Sequence, residues 1–368
     1  MAPPRLQKTL DTGTVDEPVL GRGKVQGLEA VPSLDELRGL ISPAAFEVSA
    51  ATSLLYFFAY ASLLATAFWV HPYCVGVFSC SVYTLVYGTL MWAFFVVGHD
   101  AGHGTFSKSP TLNALVGHLA HGPLLVPFWP WALSHHHHKG HNHVTNDFSH
   151  LWLTPEAKRS LSPLAEAFAE NNIALLLLTP IHFAMYLYPG VGDGSHIFPW
   201  GLLWEKTSAS TQDRLRGVVS TLVVVACLGL LRASGMPLWA YLAPWLVYNS
   251  WLFIVTYMQH HREGIEVYGD KSWTFVRGAF QTVDRVMGMH SDWVTLYITS
   301  DHLVHHLFAW SIPHYNLRRA TEDLRAGLES KGLSHLHKRV VYSSPLHYLA
   351  HFSQTLVHGG FTDFQLIE

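Results

Sequence analysis

Four stretches without a single Asp, Glu, Lys or Arg decide what this chain can fold into: Ala50 to Val70, Val75 to Val97, Val218 to Leu231 and Leu238 to Met258. Three of them reach the roughly 20 apolar residues that a membrane-crossing helix needs. The third is short, and its helix is expected to begin about a turn earlier, near residue 214. The first two are joined by His71-Pro72-Tyr73-Cys74 and the last two by a link containing Arg232-Ala233-Ser234-Gly235, so each pair reads as a hairpin. The fold class that follows is an all-α integral membrane protein, with four transmembrane helices (about 50–70, 75–97, 214–231 and 238–258) in two hairpins. Leu112 to Phe128 is interrupted by Pro123 and Pro127, and Ile173 to Leu187 by Pro180. Both are read as interfacial helices.

Two hairpins place the N-terminal tail, the loop from 98 to 217 and everything after Gln259 on one side. Of the 23 Lys and Arg, all but Arg232 lie on that side, which the positive-inside tendency makes the cytosol. Charged residues make up only 13% of the chain, about half of what soluble domains carry. A net charge of −3 without a clustered basic surface argues against a nucleic-acid partner. Cys74, Cys80 and Cys227 sit in or beside apolar segments with no CxxC spacing, so neither a disulfide framework nor a thiolate metal site is indicated, and they are read as packing residues of the membrane core. Residues 1 to 30 are read as a flexible cytosolic tail. They lack the apolar core of a signal peptide, and Asp11, Asp16 and Glu17 argue against a transit peptide. Ser33 and Glu36 have capping-box spacing, predicting a short helix from Leu34 to Leu40.

Histidine is the outlier of the composition, with 26 residues. Those in His302-Leu303-Val304-His305-His306 recur at three and four positions, so a helix there is expected to aim three imidazoles at one point. His99 and His103 repeat the i, i+4 spacing at the cytosolic exit of the second span. The run from Ser134 to His143 holds six more, and Gln259-His260-His261 ends the last span. Four such segments on one side of a membrane form a helical cap carrying a histidine-rich site, with ligands enough for two metal ions. Imidazole suits a redox metal. The HExxH of a zinc hydrolase is absent. Asp100, Asp147 and Asp301 lie beside the clusters and are candidates to orient the rings through their second nitrogens. A histidine-rich metal transporter is the alternative from another class, but residues 50–97 hold no ionisable group other than His71, tyrosines and cysteines.

His99-Asp100-x-Gly102-His103, the cluster ending in His143-Val144-x-Asn146-Asp147, and His302-x-x-His305-His306 with Ile312-Pro313-His314-Tyr315 resemble the histidine boxes of membrane fatty acid desaturases, specifically the methyl-end delta-12 and omega-3 group. Pro32 to Phe46, Val255-Thr256-Tyr257, Trp273-x-x-x-Arg277-Gly278 and Asp284-Arg285 extend the resemblance over about residues 31–325. It implies two iron ions that use O2 and two electrons to remove two hydrogens from adjacent methylenes of an acyl chain.

The implied metal ligands are His99, His103, His260, His302, His305 and His306, with His135, His137 and His138 from the second box. That box is one residue shorter than the pattern, and His141 is held in reserve. Asp100 leans toward omega-3 and Gln259 toward delta-12, with omega-3 favoured. A hydroxylase or acetylenase would keep the same ligands. No His-Pro-Gly-Gly haem motif is present, so the resemblance implies a separate electron donor, cytochrome b5 or, in a plastid, ferredoxin. The substrate is expected to be an acyl-lipid or acyl-CoA, and the location the endoplasmic reticulum with the site facing the cytosol. Residues 326–368 are expected to form a C-terminal cytosolic segment.

Overall fold

The computed structural model describes residues 30–137, 141–147, 152–161, 163–190, 194–289 and 291–368. The expected N-terminal tail lies outside them except for its last residue. Ser33 starts Leu34–Arg38 with both bonds of a capping box, its hydroxyl accepting the Glu36 amide and the Glu36 carboxylate accepting the Ser33 amide. That helix ends at Arg38 rather than Leu40. Helix α1 (Ala50–Val70) follows a cap in which the Ser49 hydroxyl accepts the Thr52 amide. Helix α2 (Val77–His103) does not stop at Val97, where the apolar run ends. Nothing in Gly-His-Asp-Ala-Gly-His interrupts helical hydrogen bonding until Gly104, whose φ of 78° is the left-handed turn a glycine cap permits. The first histidine pair is therefore built into the last turns of a long helix.

Helix α3 (Phe128–His137) carries the start of the second histidine run. The expected interfacial stretches are short helices, Pro110–His121 and then Asn172–Leu178 and His182–Leu187, the last two separated by a tight turn over Thr179–Ile181 at Pro180. Helix α4 (Thr211–Ala233) begins at a second capping box, Ser210 with Asp213, and helix α5 (Leu238–His260) runs to the histidine that ends it. Among the described residues, α1, α2, α4 and α5 are long and apolar enough to cross a membrane.

The inner pair is α2 and α5. Tyr83 donates its hydroxyl to the Ala240 carbonyl at 2.8 Å, Gly88 lies against Pro244 and Val247, and Trp251 donates to the Thr89 hydroxyl at 3.0 Å. A Cβ on Gly88 would come within 2.5 Å of the Pro244 carbonyl oxygen, so the two backbones touch where no side chain fits. The pairs advance together along both helices, which are therefore parallel. Their histidine-bearing C-terminal ends emerge on the same side. Helices α1 and α4 lie outside, with Leu55, Phe58, Trp69, Leu222, Val225 and Leu230 turned outward, as lipid-facing surface requires.

The cap follows α5. Strands β1 (Glu266–Tyr268) and β2 (Val283–Val286) lead to helix α6 (His302–Phe308) and helix α7 (Leu317–Ser330). Strand β3 (Lys338–Val341) pairs in parallel with β2, helix α8 (Pro345–Gly359) follows, and strand β4 (Gln365–Ile367) pairs in parallel with β1. The architecture is helical with these two small strand pairs added. The boundary expected near 325 falls inside α7, and both strands beyond it return to pair with residues 266–286. Residues 326–368 thus pack into the cap.

Candidate metal centre

Three Nε2 atoms converge at the end of α2. His99 and His103 are 3.2 Å apart, and His135 of α3 is 3.0 Å from His99 and 3.1 Å from His103. His305 of α6 completes the group, its ring centroid 4.7 Å from that of His99 and 5.1 Å from that of His103. These four histidines can hold a metal ion. Close approach of α3 to α2 depends on Gly102, where a Cβ would lie 2.9 Å from the Trp131 ring; that ring stacks on His135 at 4.9 Å.

A second group of three forms beside it. His302 Nε2 is 3.2 Å from His260 Nε2 and 2.8 Å from His306 Nε2. The spacing in α6 led to three rings meeting at one point, and the structure corrects this. His302 and His306 overlie one another at i, i+4, whereas His305 is about 100° round the helix from His306 and turns to the other group. The rings of His305 and His306 are 5.3 Å apart, so neighbouring residues of one helix join the two groups. A small cavity lined by His103, His135, His141, His305, His306 and Trp310 touches both.

The donor set fits a cation. A neutral imidazole carries one proton, so three ring nitrogens meeting pairwise cannot all be satisfied by one another, while a cation at their meeting point satisfies all at once. Ligand nitrogens about 2.0–2.1 Å from a common ion stand about 3 Å apart, as these do. The His302 tautomer follows from its surroundings: Nδ1 stands 2.8 Å from the Ile298 carbonyl, which can only accept, so Nδ1 carries the proton and Nε2 presents a lone pair. Burial pushes the His306 imidazole well below its usual pKa, and the rings of His141, His302 and His260 push it further, so it is neutral.

His141 stands behind His306, its Nε2 2.7 Å from His306 Nδ1. His136 Nε2 donates to the Gly102 carbonyl at 2.9 Å. The side chain of His137 and the whole of His138 lie outside the described residues. His261 is turned away, stacked on Tyr257 at 4.1 Å, and burial lowers its pKa to about 3. Asp100 accepts both the backbone amide (2.9 Å) and Nδ1 (2.7 Å) of His314, and its other oxygen is 3.8 Å from His99 Nδ1. Asp147 accepts the Asn142 amide at 2.9 Å, closing the turn that carries His141 and His143. Asp301 meets Arg318 at 3.2 Å and accepts from Ser300 at 2.8 Å; burial raises its pKa to about 6 against the pull of Arg318. Sequence reasoning overlooked His314 as the partner of Asp100, although the Ile-Pro-His-Tyr motif contained it. Trp310 was missed as well, and no spacing rule pointed to it.

A family model described as fatty acid desaturase matches residues 80–339. The chain is 36% identical over 333 residues to the delta(12) fatty acid desaturase fat-2 of Caenorhabditis elegans, covering 89% of this chain and 88% of that protein. It is 32% identical over 326 residues to an sn-1 acyl-lipid omega-3 desaturase (ferredoxin) of Nostoc sp. (strain 36), covering 86% and 87%. It is 35% identical over 249 residues to the acyl-lipid omega-3 desaturase (cytochrome b5), endoplasmic reticulum, of Arabidopsis thaliana, covering 66% and 63%.

Proposed function

This chain belongs to the fatty acid desaturase family and is an oxidoreductase that places double bonds near the methyl end of acyl chains; we propose that it does so at the omega-3 position, with two iron ions held by the two histidine groups. The observation that carries the dimetal reading is the division of His305 and His306, adjacent in sequence, between two groups whose rings lie 5.3 Å apart. Iron bound there would supply O2 activation: O2, two electrons, two protons and the two hydrogens removed from the substrate together leave as two waters, and the substrate gains its double bond.

The chain's own residues prepare that site. The Ile298 carbonyl fixes the proton of His302 on Nδ1, and His141 stands at the outer nitrogen of His306, so that both rings direct Nε2 inward. Asp100 ties the loop after α6 to the end of α2 through His314, joining two elements that feed the four-histidine group. His99, His103, His135 and His305 are the proposed ligands of one ion and His260, His302 and His306 of the other. His137 and His138 stand as proposed ligands from the resemblance. Electrons come from a separate protein, as they do for the relatives whose names include ferredoxin or cytochrome b5. We favour cytochrome b5 and an endoplasmic reticulum membrane, the donor and compartment in the name of the Arabidopsis thaliana relative, with the cap in the cytosol on the charge bias of the loops.

Expression in a host that makes no polyunsaturated lipids, with feeding of 18- and 20-carbon substrates and mass spectrometry of the products, tests the reaction. An omega-3 double bond is expected. A delta-12 product, a hydroxyl or an acetylenic bond would each replace the proposed regiochemistry or outcome with its own. A glycosylation acceptor beside the exposed Asp270 tests the side, and its modification in the lumen would overturn the cytosolic assignment.

A further inference from the structure

Asp284 and Arg285 are adjacent on β2 and fully buried, and neither is near enough to the histidine rings to be a ligand. Successive side chains of a strand point to opposite faces, so one such pair reaches two different elements. Arg285 reaches the end of α5. Its Nε donates to the Met258 carbonyl at 2.5 Å and a terminal nitrogen to the His261 carbonyl at 3.0 Å, bracketing His260 in the chain. Its other terminal nitrogen donates to the Tyr342 hydroxyl just beyond β3. The last carbonyls of a helix have no partners within it and carry its negative end, which a guanidinium complements.

Asp284 reaches the start of α6. Its Oδ1 accepts the Leu303 amide at 2.9 Å, one residue after His302, and its Oδ2 pairs with His337 Nε2 at 2.6 Å, just before β3. Here a carboxylate meets the positive end of a helix. The elements that deliver His260 and His302 are far apart in sequence, and this pair of opposite charges is anchored to both.

We propose that Asp284 and Arg285 are positioning residues for the three-histidine group: they set the backbone on which His260 and His302 stand, with His337 and Tyr342 of the C-terminal segment holding the pair in place. The proposal rests on the dimetal reading and refines it, because it assigns their effect to one group and not the other. The four-histidine group takes three of its members from α2 and α3, whereas the side-chain hydrogen bonds of Asp284 and Arg285 go to residues 258, 261, 303, 337 and 342.

The test is metal content of purified full-length protein by mass spectrometry, with R285M in two backgrounds. In His103→Ala, where the four-histidine group is disabled, R285M is expected to take iron from about one per chain to near zero. In His302→Ala, where the three-histidine group is disabled, it is expected to leave the remaining iron unchanged. D284N, which keeps the shape of the side chain, is expected to repeat the pattern more weakly, and it carries the test if R285M does not accumulate. Equal loss in both backgrounds, or loss in neither, overturns the proposal while leaving the dimetal centre intact. A parent chain that binds no metal overturns the dimetal reading and this assignment with it.

Discussion

The two histidine groups lie side by side but are built differently. The four-histidine group takes His99 and His103 from one face of a single helix, adds His135 from a helix packed on it at Gly102, and receives only His305 from far along the chain. The three-histidine group is assembled at the junction of α5 and α6, whose ends are joined by a buried strand residue pair and backed by His141 from a loop. One is templated by helix geometry. The other depends on tertiary contacts, which makes it the more sensitive to changes outside its own ligands. Helix α6 serves both.

The largest effect is expected at that shared helix. His302→Ala, His305→Ala and His306→Ala should each reduce product to below about a tenth of the parent level, since even partners of ligands commonly contribute about 10- to 100-fold at metal sites. Activity above that level, with the protein present in the membrane, would remove the residue from the ligand set. The three should differ in which ion they release: His305→Ala should empty the four-histidine group and the others the three-histidine group, measured as iron per chain in the single and paired variants.

Next is His141→Ala, expected to lower activity by about 10- to 100-fold because it frees the outer nitrogen of His306. Gln at 141 should recover part of the loss by offering a carbonyl to the same proton. If His141→Ala performs like the parent, the second group does not depend on its backing and the contrast between the groups is lost. Asp100→Asn should cost about tenfold in activity. It should also lower stability by about 2 kcal/mol, the scale of a hydrogen bond to a charged group, read as a shift in the thermal midpoint. Asp301→Asn should cost less activity, since that carboxylate faces Arg318 and Ser300.

How much of this was legible follows the same division. The spans could be read because they are long and uncharged, and the His99/His103 pair because its spacing is a property of one helix. The uncharged run marks the span only as far as Val97, whereas helical hydrogen bonding in α2 continues to Gly104, which hydropathy does not report. The turning of His305 away from His306 was not legible: spacing says which residues share a face, not which neighbour each ring meets. Asp284-Arg285 could be singled out as a motif but not understood, since its partners Met258, Leu303 and Tyr342 come together only in three dimensions. Strands β1 and β4 are three residues each and pair across the length of the cap, too short for a period-2 pattern to register.

The smallest expected effect separates His136 from its neighbours and tests the helical template directly. In a regular turn, His135 and His136 point about 100° apart, so only one of them can join the group made by His99 and His103. His135 does so, and His136 instead donates to the Gly102 carbonyl, one of the last in α2 and therefore without a helical partner. His136→Ala removes the bond to the Gly102 carbonyl, a contribution of about 0.5–1.5 kcal/mol to stability. It leaves all the assigned ligands in place. Product formation is therefore expected to fall by no more than about threefold, with iron content unchanged. His136→Gln, which can still donate to Gly102, should restore the thermal midpoint. If His136→Ala instead abolishes product and releases iron while His135→Ala is tolerated, the two residues have exchanged places. The four-histidine group would then be set by a distorted turn and not by the helix that carries it.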